Sequence, residues 1–219
     1  MKKPNTLSQT AIKTTLVLCA AFYASFAAAK DWQFDVYLDK SKMGQHTFSL
    51  NDANALTSTA KFNVKVLFVN AYSYDHKATE KWNGDCLANL TAHTVENKVT
   101  TDVKGKLSDG AFVVENGVDK QTLAACSMTF AYWNPKILTQ TKLLNPQNAE
   151  LLDTTVTKLA AETITVKGAP IEANHYKLTG SLKGKVKLNI ELWYNVTGND
   201  WVALKSITPE GYTVNYKLR

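Results

Sequence analysis

The sequence predicts an all-β fold, an antiparallel β-barrel or wrapped half-barrel of about ten to twelve strands with one short helix in the middle of the chain. Three observations carry this. Apolar residues recur with a period of two along most of the chain, as in Trp32, Phe34, Val36 and Leu38. Turn residues punctuate these runs at near-regular spacing, for example Asn51-Asp52-Ala53-Asn54, Asp109-Gly110 and Asn116-Gly117. Helical periodicity is almost absent. So many antiparallel strands are best served by curling, which hides sheet edges.

The start of the chain stands apart. Met1-Lys2-Lys3 and Lys13 are followed by 16 uncharged residues, Thr14 to Ala29, ending in Ala27-Ala28-Ala29. A basic start, a short apolar run and small residues before a cut site predict a signal peptide over 1–29, leaving one domain over 30–219. The run is shorter than the ~20 residues of a membrane-spanning helix. Cys19 follows bulky Leu18 rather than a small residue, which disfavours lipid modification. Export of this kind implies a periplasmic location in a Gram-negative bacterium.

Composition narrows the function classes. The formal net charge is +6, and the three lysines of the leader reduce it to +3 in the mature chain. Arg219 is the only arginine, and the lysines are scattered through strands. Nucleic-acid binding, which favours clustered guanidinium groups, is excluded on that ground.

The mature chain opens with two strands, the second placing His46, Phe48 and Leu50 on one face. The longest run follows, with Leu56, Ala60, Phe62, Val64, Val66 and Phe68 facing one way. From Leu67 to Val69 both faces are apolar, which predicts cover on both sides. Tyr72, Tyr74, His76, Ala78 and Trp82 then share a face, and shorter strands continue to Glu115. The alternation breaks at Cys126-Ser127-Met128-Thr129-Phe130-Ala131-Tyr132-Trp133-Asn134-Pro135. There Asn134 is an N-cap and Pro135 a first helical residue, with the turn running to about Gln140. Strands resume near Leu152 and end in a short-turned meander through Leu218.

Two cysteines remain in the mature chain, Cys86 and Cys126, and in an exported protein a lone pair reads as a disulfide. A catalytic thiol with His46, His76, His93 or His175 as base is the competing reading, disfavoured in an oxidising compartment. No nucleophile elbow, phosphate loop, zinc-protease helix or Cys-x-x-Cys occurs. The sequence therefore names no catalytic residue, metal ligand or cofactor. His76 and Glu80 share a strand face across Ala78, but two ligands are too few for a metal site.

The aromatics are more informative. Tyr and Trp join an apolar body to a polar handle and line pockets for amphipathic ligands. The expected ligand-binding residues are Tyr72, Tyr74, His76, Trp82, Tyr132 and Trp133. Cys126–Pro146 is expected to act as a lid or plug. The leading expectation is a periplasmic binding protein for an apolar or amphipathic, lipid-like ligand, with no transmembrane segment and at most peripheral envelope contact. The alternatives are an envelope enzyme whose site forms only in the fold, and a structural or interaction module of the envelope.

Several strings carry a resemblance: Asp35-Val36-Tyr37-Leu38-Asp39, Phe68-Val69-Asn70-Ala71-Tyr72, Thr79-Glu80-Lys81-Trp82, and above all Phe130-Ala131-Tyr132-Trp133-Asn134-Pro135. With Leu192-Trp193-Tyr194 and Trp201-Val202-Ala203-Leu204, the chain resembles a family of uncharacterised exported bacterial proteins, a domain of unknown function. The resemblance implies a secreted or periplasmic β-rich domain and supplies no catalytic residues. The strand pattern is also similar to the wrapped sheets of periplasmic lipoprotein-carrier domains, a likeness of fold alone.

Overall fold

A computed structural model describes residues 29–66, 69–208 and 210–219, with the side chains of 65–70 undescribed. The leader through residue 28, Cys19 and the doubly apolar Leu67-Phe68 lie outside these residues. Eight strands precede the central segment. They are β1 (Lys30–Leu38), β2 (Ser41–Leu50), β3 (Ala55–Val66), β4 (Val69–Asn83), β5 (Cys86–Glu96), β6 (Val99–Ser108), β7 (Ala111–Glu115) and β8 (Lys120–Ala124). Seven follow it: β9 (Lys142–Leu144), β10 (Leu151–Lys158), β11 (Glu162–Val166), β12 (Ala169–Leu182), β13 (Lys185–Asn195), β14 (Trp201–Ile207) and β15 (Thr213–Leu218).

All fifteen strands belong to one antiparallel sheet, in the order β8-β7-β6-β5-β4-β3-β2-β1-β15-β14-β13-β12-β10-β9, with β11 also paired to β12. Two expectations are corrected here. There are fifteen strands among the described residues rather than ten to twelve, because β9 has three residues and β8 reads Lys-Gln-Thr-Leu-Ala, with too little apolar pattern to register. The ladder is also open rather than closed: β8 and β9 end the order and do not pair with each other. The half-barrel, not the closed barrel, is the architecture.

Residues 125–141 carry the chain from one open edge to the other, and they pass through the concave interior. Met128, Phe130, Ala131 and Ile137 join a single buried cluster with Trp32, Phe34 and Phe48 from one wing and Leu178, Ile190 and Leu192 from the other. The Cys86–Cys126 disulfide and the Leu87 N–H, which donates to the Ser127 carbonyl at 3.0 Å, pin the start of this plug to β5. Closing a 40-residue separation stabilises the fold by about 4 kcal/mol on the chain-entropy model. Further along, Phe130 donates to the Leu144 carbonyl and Leu144 to that of Met128, covering the edge of β9.

The expected helix is a single 3-10 turn, Pro135–Thr139. Asn134 caps it by accepting from the Lys136 N–H at 3.0 Å, as the Asn-Pro pair predicts. The Asp109-Gly110 signal is realised as a two-residue hairpin with both residues at positive φ (51° and 76°), the geometry that matches strand twist. Gly44 is required for another reason. A Cβ there would collide with the Lys61 carbonyl, so glycine lets β2 approach β3.

Candidate functional site

On β2, β3 and β4 the inward parity brings an apolar row and then a break in it. β3 presents Leu56, Ser58, Ala60 and Phe62, while β4 presents Trp82, Glu80, Ala78, His76 and Tyr74, all buried. The register pairs Ser58 with Ala78, Leu56 with Glu80 and Ala60 with His76. Small side chains in the middle of this wall leave a cavity of about 110 Å³. Its sheet wall is His46, Phe48, Leu56, Ser58, His76, Ala78 and Glu80. The plug supplies Phe130 to Trp133, the turn between β9 and β10 supplies Asn145 to Gln147, and Leu188 of β13 completes it.

The polar side chains of the wall are strongly desolvated. His46 Nε2 meets Ser58 Oγ at 2.7 Å and its Nδ1 meets the Tyr216 hydroxyl at 3.1 Å. Burial, reinforced by nearby His76, holds the His46 imidazole down to about 3. His76 Nδ1 lies 2.8 Å from Thr94 Oγ1, which donates onward to the Gln147 carbonyl of the turn between β9 and β10. That chain makes Nδ1 the donor and leaves Nε2 as an acceptor. Burial holds His76 down to about 4, with Asp75 opposing and His93 assisting.

Glu80 is 4% exposed and accepts from the Trp82 indole N–H at 3.1 Å. Burial pushes its carboxyl up to about 7, against the lowering effects of the Thr129 hydroxyl and the indole. Among the described residues no cation contributes to holding it, so at neutral pH it is a buried acid poised between its two forms. The Thr129 hydroxyl lies beside it but makes no hydrogen bond of regular geometry. It shares that state with the Tyr74 hydroxyl and the Trp133 indole N–H among the described buried groups.

Ser58 and His46 have the spacing of a nucleophile and its base. The base is wrong for that role, however. An imidazole titrating near 3 does not withdraw a hydroxyl proton at neutral pH, and a phenol rather than a carboxylate backs it. The pair is a satisfied polar element of the cavity wall.

The expected binding residues divide into three groups. His76, Tyr132 and Trp133 line the cavity together. Trp82 lies behind it, edge-to-face with Trp133 at 5.5 Å and bonded to Glu80. Tyr72 and Tyr74 do not line it. They continue the β4 row outward, with Tyr74 stacked between Phe62 and Tyr72 at 5.2 and 6.4 Å. Tyr72 then donates to Glu96 at 3.0 Å near the rim. Absent from that expectation were His46, Ser58, Thr94 and Thr129. His46 and Ser58 carried a readable signal, since each falls at an inward position of an otherwise apolar face. Thr94 carried the same signal, continuing the Leu90 and Ala92 parity of β5, whereas Thr129 carried none, because the plug had no strand parity from which to place it.

Fold and site together define an open, β-barrel-like sheet wrapped around its own connecting segment, with a small polar-walled cavity between them. Residues 34–219 match the family model described as a domain of unknown function, DUF6134, and the chain belongs to that family. No curated protein matches it. Among solved structures it is similar to a β-barrel-like protein of domain of unknown function DUF1849 from Brucella abortus. The identity is 15% and the TM-score 0.60, over 86% of this chain and 94% of the other, which is a likeness of fold.

Proposed function

We propose that this chain is a periplasmic binding protein that takes an apolar or amphipathic ligand into its half-barrel, with the plug as the movable wall. The supporting observation is the mismatch between surface and content in the interior. The cavity is framed by Phe48, Phe130, Tyr132 and Trp133, and buried polar atoms there and beside it have no partner. Unpaired buried groups are costly, and a ligand carrying one polar end among apolar carbons would meet both demands.

Size sets the terms of entry. Pockets for whole organic ligands run to about 300–1,000 Å³, so the 110 Å³ space takes one end of a lipid-like molecule with the plug in place. The rest lies along the Phe62–Tyr74–Tyr72 row towards the rim, or displaces the Asn145–Ala149 turn. Side-chain bonds from Thr94, Asn116 and Gln121 to the carbonyls of Gln147, Asn148 and Ala149 hold that turn. The leader-like start and the disulfide, which suits an oxidising compartment, support the location. No helix among the described residues is long and apolar enough to cross a membrane.

Native mass spectrometry of the mature protein from its own cells, with solvent extraction of what it carries, tests this reading. A released organic adduct is expected, and it should be lost in Ala78→Leu, which fills the cavity, while circular dichroism stays that of the folded sheet. An adduct-free wild type that also takes up no added fatty acid, alcohol or alkylammonium would overturn it.

A further inference from the structure

Among the described residues the cavity wall has acceptors to spare and no lysine or arginine. Glu80 offers a carboxylate of which the Trp82 N–H uses one lone-pair position. His76 offers its Nε2, since Nδ1 is committed to Thr94. The remaining titratable side chains of the wall are His46 on β2 and Tyr132 on the plug, and burial keeps both neutral at pH 7. Glu80 on β4 is therefore the one group of the wall that can carry charge there, and that charge is negative. The aromatic side chains of Phe48, Phe130, Tyr132 and Trp133 complete the surroundings, and aromatic faces favour cations.

We propose that the ligand's polar end is a primary ammonium group, seated in this cavity against Glu80 among the aromatic side chains. The inference rests on the cavity being a ligand site and adds the chemical class of the ligand, a cationic amphiphile. An ammonium presents three donors on a compact point charge, which matches the Glu80 carboxylate in a small space and leaves the Trp133 indole N–H, itself a donor, without a partner. A carboxylate head would place two anions together, and an alcohol would leave an ionised Glu80 without a counter-charge. Because burial brings Glu80 to about 7, ammonium binding is linked to ionisation of that carboxyl and tightens as pH rises.

The test is calorimetric titration of the mature, disulfide-bonded protein with hexylammonium, 1-hexanol and hexanoate at pH 8.0 and 5.5. Hexylammonium should bind at least tenfold more tightly than either analogue at pH 8.0 and lose about tenfold at pH 5.5. Glu80→Gln should abolish both the preference and the pH dependence while retaining hexanol. Should that variant fail to fold, the wild-type pH comparison decides alone. Equal binding of the three, a preference for hexanoate, or an unchanged preference in Glu80→Gln overturns the ammonium assignment and leaves the ligand site standing. Binding of none of the three overturns both.

Discussion

The molecule holds two clusters of the same residue types in opposite settings. Inside, His76, His46 and Glu80 sit on β2 and β4 with hydroxyls and an indole for company. On the convex side, His175 of β12 lies between Glu162 and Glu191, with Nδ1 and Nε2 at 3.1 and 3.0 Å from their carboxylates. Lys205 approaches Glu191 at 3.1 Å, and the Trp193 indole donates to Glu162 while its ring stacks on His175 at 4.3 Å. Partial burial would raise the Glu191 carboxyl, but Lys205 and His175 more than offset it and hold it below the ordinary carboxylate range. The chain can therefore pair acids with bases where it needs only stability. Glu80, by contrast, has only the Trp82 indole and the Thr129 hydroxyl to set against its burial among the described residues.

Charge reversal separates the two clusters most sharply. Glu80→Lys buries a cation beside two neutral histidines and should cost about 3–5 kcal/mol in urea unfolding. Glu191→Lys, in a screened setting, should cost about 1 kcal/mol. Similar losses from both would erase the distinction.

The pH profile is a finer probe, because the signs differ. The folded-state value of Glu80 lies above its ordinary 4.5, so the native state holds the extra proton between about 4.5 and 7, and stability falls as pH rises through that window. Glu80→Gln should remove this fall, making the variant more stable relative to wild type at pH 8 than at pH 4.5 by up to about 3 kcal/mol. His46 and His76 act oppositely. Their folded values lie below 6.5, so stability is lost as pH drops below that, and a glutamine at either position should soften acid unfolding. A Glu80→Gln profile parallel to wild type would show that the acid is not desolvated.

The smallest effect belongs to the convex cluster. Glu191→Gln removes a carboxylate whose folded value is depressed, so its cost, below about 1 kcal/mol, should be present near neutrality and vanish as pH falls below the carboxylate range. A cost that persisted at acid pH would point to packing against Lys205 rather than charge.

Much of the scaffold was legible because period two is a strong signal where one face is buried. Trp32, Phe34 and Val36 point inward as read, and Trp193 falls on the outward parity of its strand, where Ile164 and Val166 cover it. The Asn134-Pro135 turn and the cysteine pair were equally readable, since both depend on local chemistry. What escaped was non-local. Thr129 meets Glu80 only because the plug runs beneath β4, and no spacing in the sequence measures that distance. Openness escaped for a similar reason. Whether the last strands of a curled sheet meet depends on accumulated twist, while the run from Ala125 to Thr141 that fills the gap looks like any irregular connection.

The order of the sheet has a consequence for how the molecule is made. β1 lies between β2 and β15, with Phe34 opposite Leu218 and Val36 opposite Tyr216, so β1 waits for β15, synthesised much later, to complete its pairing. The Arg219 N–H reaches the Gln33 carbonyl at 2.8 Å across the same seam. Until β15 arrives, the two wings can each form locally, but the join between them stands open with bare backbone groups, the state in which sheets recruit wrong partners. The seam acts as the clasp of a necklace: small and central, and the last thing to be fastened.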